Sequence, residues 1–166
     1  METTLYRYLS AAVVFASCAI LPSCAGLNHP TGTIEQKFAA TGVWAVTTSP
    51  GGACCDSLGN AFDLFYPTNL GANGFKHPIL TWGNGTNGAP VHYATFLTHM
   101  ASWGFVIIAT ADKMTGPGQT MLDGVNFLIA ANGNSASTFF NKLYAAEIGA
   151  MAVSYVLRFA SATAKF

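Results

Sequence analysis

The sequence predicts an α/β fold with a mostly parallel sheet and flanking helices. Short runs of β-branched and aromatic residues alternate with segments whose apolar residues recur at helical spacing, and this alternation is typical of βαβ crossovers. The 166 residues suit one domain. Hydrophobic residues make up 51% of the chain, which is ample material for a core.

Each predicted strand follows from a local pattern. The run FVIIAT is a continuous series of apolar β-formers, as in a buried parallel strand, whereas FDLFY alternates apolar and polar residues before a proline. The other runs are short and apolar or β-branched, and they end at glycine, proline or asparagine. These patterns predict strands at residues 43–48, 62–66, 78–82, 105–110 and 146–151.

Two helices are predicted between these strands. Residues 91–102 carry Phe96, Leu97 and Met100 on one side, and residues 119–131 carry an apolar face that includes Val125 and Leu128.

Residues 1–25 are predicted to be a signal peptide. An apolar run at 11–21 is followed by Ser23-Cys24-Ala25, which fits a small-x-small cleavage site. The run is shorter than the roughly 20 residues of a membrane span. Residues 21–24 also loosely resemble a lipobox, although proline fits that box poorly, and a buried hydrophobic helix is the alternative. We therefore expect a secreted or periplasmic protein, with a lipid anchor as a variant.

The low charge excludes several classes of protein. Charged residues make up only 8% of the chain, and seven Lys and Arg balance seven Asp and Glu. Nucleic-acid binders need a surplus of positive charge, so no nucleic-acid partner is expected. Disorder requires low hydrophobicity and high net charge, which this chain lacks.

Cleavage after residue 25 would leave only the adjacent pair Cys54 and Cys55. Neighbouring Cα atoms lie about 3.8 Å apart, below the usual disulfide range of about 4.4–6.8 Å. A bond between them would be a special feature, and the alternative is two partly buried thiols in a loop, or thiols whose partners lie elsewhere. No His and Cys spacing resembles a zinc site, so no metal is expected.

A glycine-rich loop, GNGTNG at residues 83–88, separates the third predicted strand from the first predicted helix. Such a loop exposes backbone N–H groups beside a helix N-terminus, where negative charge is favoured. By itself it is either a plain loop or a phosphate cradle. It matches neither the P-loop nor the dinucleotide-binding fingerprint, so no cofactor is expected.

From about residue 43 to residue 151 the chain resembles secreted α/β-hydrolases of the dienelactone hydrolase, chlorophyllase and polyester hydrolase (cutinase-like) group. The resemblance covers about two-thirds of the chain and implies an incomplete α/β-hydrolase fold over residues 26–151. It also implies that the Thr86 N–H contributes to an oxyanion hole, that Trp82 and Asn84 line the mouth of the site, and that His92 and His99 are surface or packing residues. The motifs that carry it are, in order, FDLFYPTNLG, HPILTWGNGT, THMASWGFVIIATAD, QTMLDGVNFL and EIGAM.

The resemblance ends at the position of the nucleophile. Members of the family continue into Gly-x-Ser-x-Gly, a strained turn that presents the serine, and their acid and histidine follow it. Here Ser154 stands at the nucleophile position, but the chain reads AVSYV and both glycines are absent. Asp123 and all four histidines precede Ser154. Residues 152–166 are therefore interpreted as a divergent tail, from a frameshift, a gene fragment or a truncated product rather than a short form that evolved as such.

We therefore expect a truncated serine ester hydrolase of small-molecule or polymeric esters, with little turnover by this chain. Ser154 would attack the carbonyl, and the N–H groups of Thr86 and Tyr155 would form the oxyanion hole. The alternative is a non-catalytic remnant or a binding module. Self-association is also expected, because the strand at 146–151 would lie at an edge of the sheet.

Overall fold

The computed structural model describes residues 33–153, so the predicted signal peptide (residues 1–25) and Ser154 with the residues after it lie outside the described part. The described chain forms three α-helices and five strands, joined in two places by short 3₁₀ turns. In chain order these are α1 (Thr33–Ala39), β1 (Val46–Ala53), β2 (Phe62–Pro67), a turn (Ala72–Gly74), β3 (His77–Gly83), a turn (Pro90–Tyr93), α2 (Ala94–Ser102), β4 (Val106–Thr110), α3 (Gln119–Gly133) and β5 (Leu143–Ala152).

All seven predicted elements are present, with shifts at their ends. β1 begins three residues after the predicted start and continues through Pro50, a segment that the sequence suggested was a turn. Its pairing with β2 is irregular between Ser49 and Ala53, and the Gly51 N–H donates to Asp63 Oδ1 at 2.7 Å. Proline is tolerated here because β1 is an edge strand.

The five strands form a mixed sheet in the order β1-β2-β4-β3-β5. β3 is parallel to both β4 and β5, whereas β2 is antiparallel to both β1 and β4. The expectation of a mostly parallel sheet is therefore not met. The short loop 54–61 accounts for the antiparallel pairing of β1 with β2, since parallel neighbours need a crossover of a dozen or more residues.

Two helices cover opposite faces of the sheet. α3 packs on β3, β4 and β5, and α2 packs on β1, β2 and β4. Adjacent residues of β4 therefore face different layers: Ile108 packs in the cluster with Leu128 of α3, and Ile107 packs in the cluster with Leu97 of α2. Ile107 is completely buried in this layer. β5 is less well covered than β4: most of its residues are exposed or half-buried, whereas every residue of β4 is buried.

His77 is a fully buried histidine at the start of β3. Its Nδ1 lies 2.7 Å from the Gly104 carbonyl oxygen, and the Gly71 N–H donates to Nε2 at 3.1 Å. These partners require a neutral ring that is protonated at Nδ1. The rings of Trp44 and Phe75 pack edge-on against it. Burial lowers the pKa of His77, and the hydrogen bond to Gly104 offsets part of that effect.

We expect the protein to lose stability as the pH falls below the ordinary histidine pKa of 6.5. There the unfolded state binds a proton at His77 that the folded state does not take up, so the free energy of unfolding falls with pH until the folded state is protonated too. Thermal unfolding at pH 7.5 and pH 5 measures this. His77→Phe should lose the dependence, whereas His92→Gln, at an exposed position, should keep it. A midpoint that rises on acidification would contradict the prediction.

Candidate functional site

A cleft of about 400 Å³ opens at the carboxyl ends of β3 and β5, beside the start of α3. Ligands of open α/β sheets usually bind outside the carboxyl ends of the strands. None of the residues that line the cleft is ionisable. They are Asn84, Thr86, Met114, Thr115, Gly116, Pro117, Gly118, Met121, Ala152 and Val153.

Two loops form facing walls of this cleft, and hydrogen bonds tie them together. The loop after β3 closes with a Gly88 N–H to Gly85 carbonyl bond of 2.7 Å. Asn87, whose φ is 60°, donates its N–H to the Lys113 carbonyl at 3.0 Å. From the loop after β4, the Thr115 hydroxyl donates to the Asn84 carbonyl at 2.7 Å. The glycine-rich loop is therefore held in place by the loop at residues 111–118.

Asn84 lies in the cleft wall, where we expected it, and it is only 3% exposed. Its Nδ2 donates to the carbonyl oxygens of Thr110 at 2.7 Å and Asp112 at 3.0 Å. Its Oδ1 is buried and has no hydrogen-bond partner in the described part of the chain. The side chain thus links the ends of β3 and β4 and leaves one acceptor unsatisfied.

Thr86 is also in the cleft wall, and it is exposed. Its backbone N–H makes no hydrogen bond to any residue between 33 and 153. A fixed N–H without an acceptor is the kind of donor that an oxyanion hole requires. The placement therefore agrees with the expected role of Thr86 and does not test it.

Trp82 does not line the cleft. It is 4% exposed, and its ring packs against Tyr93 at 4.9 Å and Phe96 at 5.6 Å between centroids. Side chains alternate between the two faces of a strand, so Trp82 turns toward the α2 layer. Its neighbour Thr81 turns the other way and donates to the Met121 carbonyl at 3.0 Å. Trp82 is therefore a core residue beneath the loop.

Buried acidic side chains at the end of β4 were missed by the sequence analysis. Asp112 accepts hydrogen bonds of 2.8 Å from the Met114 N–H and from the Thr120 hydroxyl, and so holds the cleft loop to α3. The Thr110 hydroxyl donates to Asp56 Oδ2 at 2.6 Å. The only indication in the sequence was an acidic residue two positions after a buried strand.

Asp56 remains ionised despite being buried. Burial raises the pKa of its carboxyl, but hydrogen bonds from Thr110, Asn60 and Leu58 outweigh this effect and lower the pKa. The carboxylate therefore acts as a fixed acceptor that anchors the loop 54–61 to the end of β4.

None of the described histidines reaches the cleft. His77 lies at the opposite end of β3, His92 Nδ1 accepts the Ala89 N–H at 3.3 Å, and His99 Nε2 lies 2.9 Å from the Phe38 carbonyl. Asp123 on α3 accepts bonds of 2.8 Å from the Ser57 N–H and from Gln119. His29, Ser154 and Tyr155 lie outside the described residues.

Of the two alternatives for the adjacent cysteines, the structure shows the disulfide. Cys54 and Cys55 are bonded to each other across a cis peptide bond, and both are exposed. In the part of the chain from 33 to 153, no group of three or more His, Cys, Asp or Glu side chains could hold a metal ion. No helix in that part is long and apolar enough to cross a membrane.

Comparison with known proteins leaves the family open. The chain matches no protein-family model and no curated protein. Any assignment of function therefore depends on the cleft, the loops that form it and the motifs of the sequence.

Proposed function

We propose that the cleft binds the acyl group of a carboxylic ester, and that this chain carries part of a serine ester hydrolase site without turning the ester over. The observation that carries the proposal is which residues line the cleft. Thr86 lines it together with Ala152 and Val153, which directly precede Ser154 in the sequence. The Val153 N–H donates to the Gly83 carbonyl at 3.2 Å, so the chain leaves β5 beside the glycine-rich loop.

The topology of the sheet supports an α/β-hydrolase origin. The order β1-β2-β4-β3-β5, with β2 antiparallel to its neighbours, is similar to the first five strands of α/β-hydrolase sheets. A similar topology does not by itself give an activity. The proposal therefore combines the strand order with the contents of the cleft.

The chemistry would be acyl transfer. Ser154 Oγ would attack the ester carbonyl carbon, the N–H groups of Thr86 and Tyr155 would stabilise the oxyanion, and the alcohol would leave before water releases the acid. A serine hydroxyl needs a base to take its proton. His77, His92 and His99 all lie away from the cleft, which is why we expect binding without turnover.

The lining favours a neutral ester, because no ionisable side chain is available to hold a charged one. Met114 and Met121 contribute flexible apolar surface that adapts to acyl groups of different shape. Small-molecule and polymeric esters both satisfy this chemistry. The proposal includes binding outside the cytoplasm, and the sequence pattern of residues 1–25 supports that part of it.

Binding of an ester can be measured through the methionines. In protein labelled with ¹³C at the methionine methyl groups, ethyl propanoate should shift the signals of Met114 and Met121. The signal of Met100, which packs in the α2 layer, should stay in place and serves as the internal control. Perturbation of Met100 alone, or of no methionine, would contradict the proposal.

A pair of variants at one position tests the backbone donor. Thr86→Pro removes the N–H and should weaken ester binding about five- to tenfold, the usual worth of one hydrogen bond. Thr86→Ala keeps the N–H and should bind as the parent does. Equal binding by both variants would remove Thr86 from the site.

We expect no catalysis that depends on Ser154. The chain and its Ser154→Ala variant should release nitrophenol from p-nitrophenyl butyrate at the same rate, because no histidine among residues 33–153 reaches the cleft to activate the hydroxyl. A steady-state spectrophotometric assay measures this. Clear turnover that disappears in the variant would show that a base reaches the cleft, and the binding-only part of the proposal would be wrong.

A further inference from the structure

The disulfide between Cys54 and Cys55 lies at the surface, and the residue that follows it is buried. Both cysteines are exposed, and exposed disulfides are the ones that exchange most readily with dissolved thiols. Asp56 is only 5% exposed, and its Oδ2 accepts the Thr110 hydroxyl at 2.6 Å. An accessible redox group therefore directly precedes the carboxylate that anchors the loop 54–61.

Hydrogen bonds lead from this carboxylate to the cleft. The Thr110 hydroxyl, which donates to Asp56, also accepts the Asp112 N–H at 3.0 Å. The carboxylate of Asp112 in turn accepts the Met114 N–H and the Thr120 hydroxyl, both at 2.8 Å. Met114 lines the cleft. A short chain of hydrogen bonds therefore connects the anchoring carboxylate to the wall of the cleft.

The loop that carries the disulfide also contacts the first turns of α3. The Ser57 N–H donates to Asp123 Oδ2 at 2.8 Å, and Gln119 donates to the other oxygen of that carboxylate at 2.8 Å. Met121, another residue of the cleft, lies between these two positions of α3. The loop therefore supports the cleft at two places.

Reduction of the disulfide would change how firmly this loop is held. A bond between two adjacent side chains closes a small ring that restricts the backbone within it, and opening the ring restores that freedom. A loop with more conformations loses more entropy when Asp56 and Ser57 anchor it, so its anchored state becomes less populated. A ligand that needs the anchored loop then binds with a lower apparent affinity.

We propose that the disulfide between Cys54 and Cys55 is a redox switch of the cleft, and that its reduction weakens binding of the ester. This inference rests on the proposed function. The reductant is a dithiol: one of its thiolates attacks a cysteine sulfur and breaks the S–S bond, and its second thiol then displaces the first. Two electrons and two protons pass to the protein, which gains two thiols, while the dithiol becomes a disulfide.

Titration of the full chain with ethyl propanoate in both redox states measures the effect. The shifts of the Met114 and Met121 methyl signals should give an affinity about five- to tenfold lower in excess dithiothreitol, the effect of fixing roughly one more residue of backbone. Circular dichroism should be the same in both states, because the change is confined to the loop and the cleft.

Two double variants assign the effect to one pair of cysteines. Cys54→Ser with Cys55→Ser should bind ethyl propanoate as the reduced chain does and should not respond to dithiothreitol. Cys18→Ser with Cys24→Ser keeps the disulfide and should respond as the parent does. If the first variant does not fold, the two redox states of the second decide.

The reverse coupling gives an independent measurement. Because coupling between two sites is reciprocal, saturating ethyl propanoate should make the disulfide harder to reduce by the same factor, at a fixed ratio of dithiothreitol to its oxidised form. Alkylation of free thiols, followed by mass spectrometry of the tryptic peptide 38–76, measures the reduced fraction. This peptide contains Cys54 and Cys55 and no other cysteine.

The outcomes separate the inference from the proposed function. Equal affinity in both redox states would overturn the inference and leave ester binding intact. Unfolding of the reduced chain would also overturn it, because the loss would not be confined to the cleft. No shift of the Met114 and Met121 signals in either state would overturn the proposed function, and the inference with it.

Discussion

Replacing Phe62 with alanine is expected to lower the free energy of unfolding by about 3–5 kcal/mol, the usual cost of deleting a buried aromatic ring. Phe62 is 1% exposed and begins β2 in the cluster that α3 covers. Its ring centroid lies 5.9 Å from that of Phe127. The deletion would leave a cavity between the sheet and α3 that rigid strands cannot close. Urea denaturation, followed by circular dichroism at low protein concentration, measures the loss.

A matched control is available in the same residue type. Phe140 is 43% exposed, and Phe140→Ala should cost less than about 1 kcal/mol, since its ring loses little burial on unfolding. A loss below 1 kcal/mol for Phe62→Ala, or equal losses for the two variants, would mean that the layer between the sheet and α3 is not the main core.

The chain without residues 1–25 is expected to associate with itself through β5. β5 is an edge strand of the described sheet, and Glu147 is the only charged residue in its ten positions. Unpaired N–H and C=O groups on an apolar edge act as a template for a second strand. The zero net charge adds no repulsion between copies.

Size-exclusion chromatography with light scattering over a range of concentrations tests this association. Ala150→Lys places a charge at an exposed position of β5 and should shift the population toward monomer. Asn126→Lys adds the same charge at an exposed position of α3 and should change little. A sharp monomer peak at every concentration for the parent chain would show that the edge is already covered.

The periodicity of the sequence predicted the elements better than their pairing. The run at β4 and the apolar faces of α2 and α3 are directly visible, because burial imposes them residue by residue. The direction of β2 was missed, although alternation of apolar and polar residues is more typical of antiparallel strands than of buried parallel ones. α1 was missed because none of its residues is buried, so it has no apolar stripe to detect.

Of the two loops that line the cleft, the sequence analysis singled out only the glycine-rich loop at residues 83–88. Asn84 and Thr86 were identified through the resemblance to the hydrolase group, while the glycines showed only that their loop is a turn at a strand end. Residues 114–118, which form the facing loop, carry no sequence pattern that marks a site. Their position is fixed by contacts between residues distant in sequence, such as the hydrogen bond from Thr115 to Asn84. Trp82 was misplaced because a strand sends its last residues alternately to opposite faces, and the motif alone does not say which face holds the cleft.

The absence of ionisable side chains from the lining of the cleft also bears on the rate at which a ligand binds. Charged walls accelerate the encounter with a ligand by steering it, and dissolved salt weakens that acceleration. For a neutral ester, the ligand proposed above, we therefore expect the rate of binding to change little between low and high salt concentration. Differences in affinity between such esters should then lie mainly in how long each stays bound.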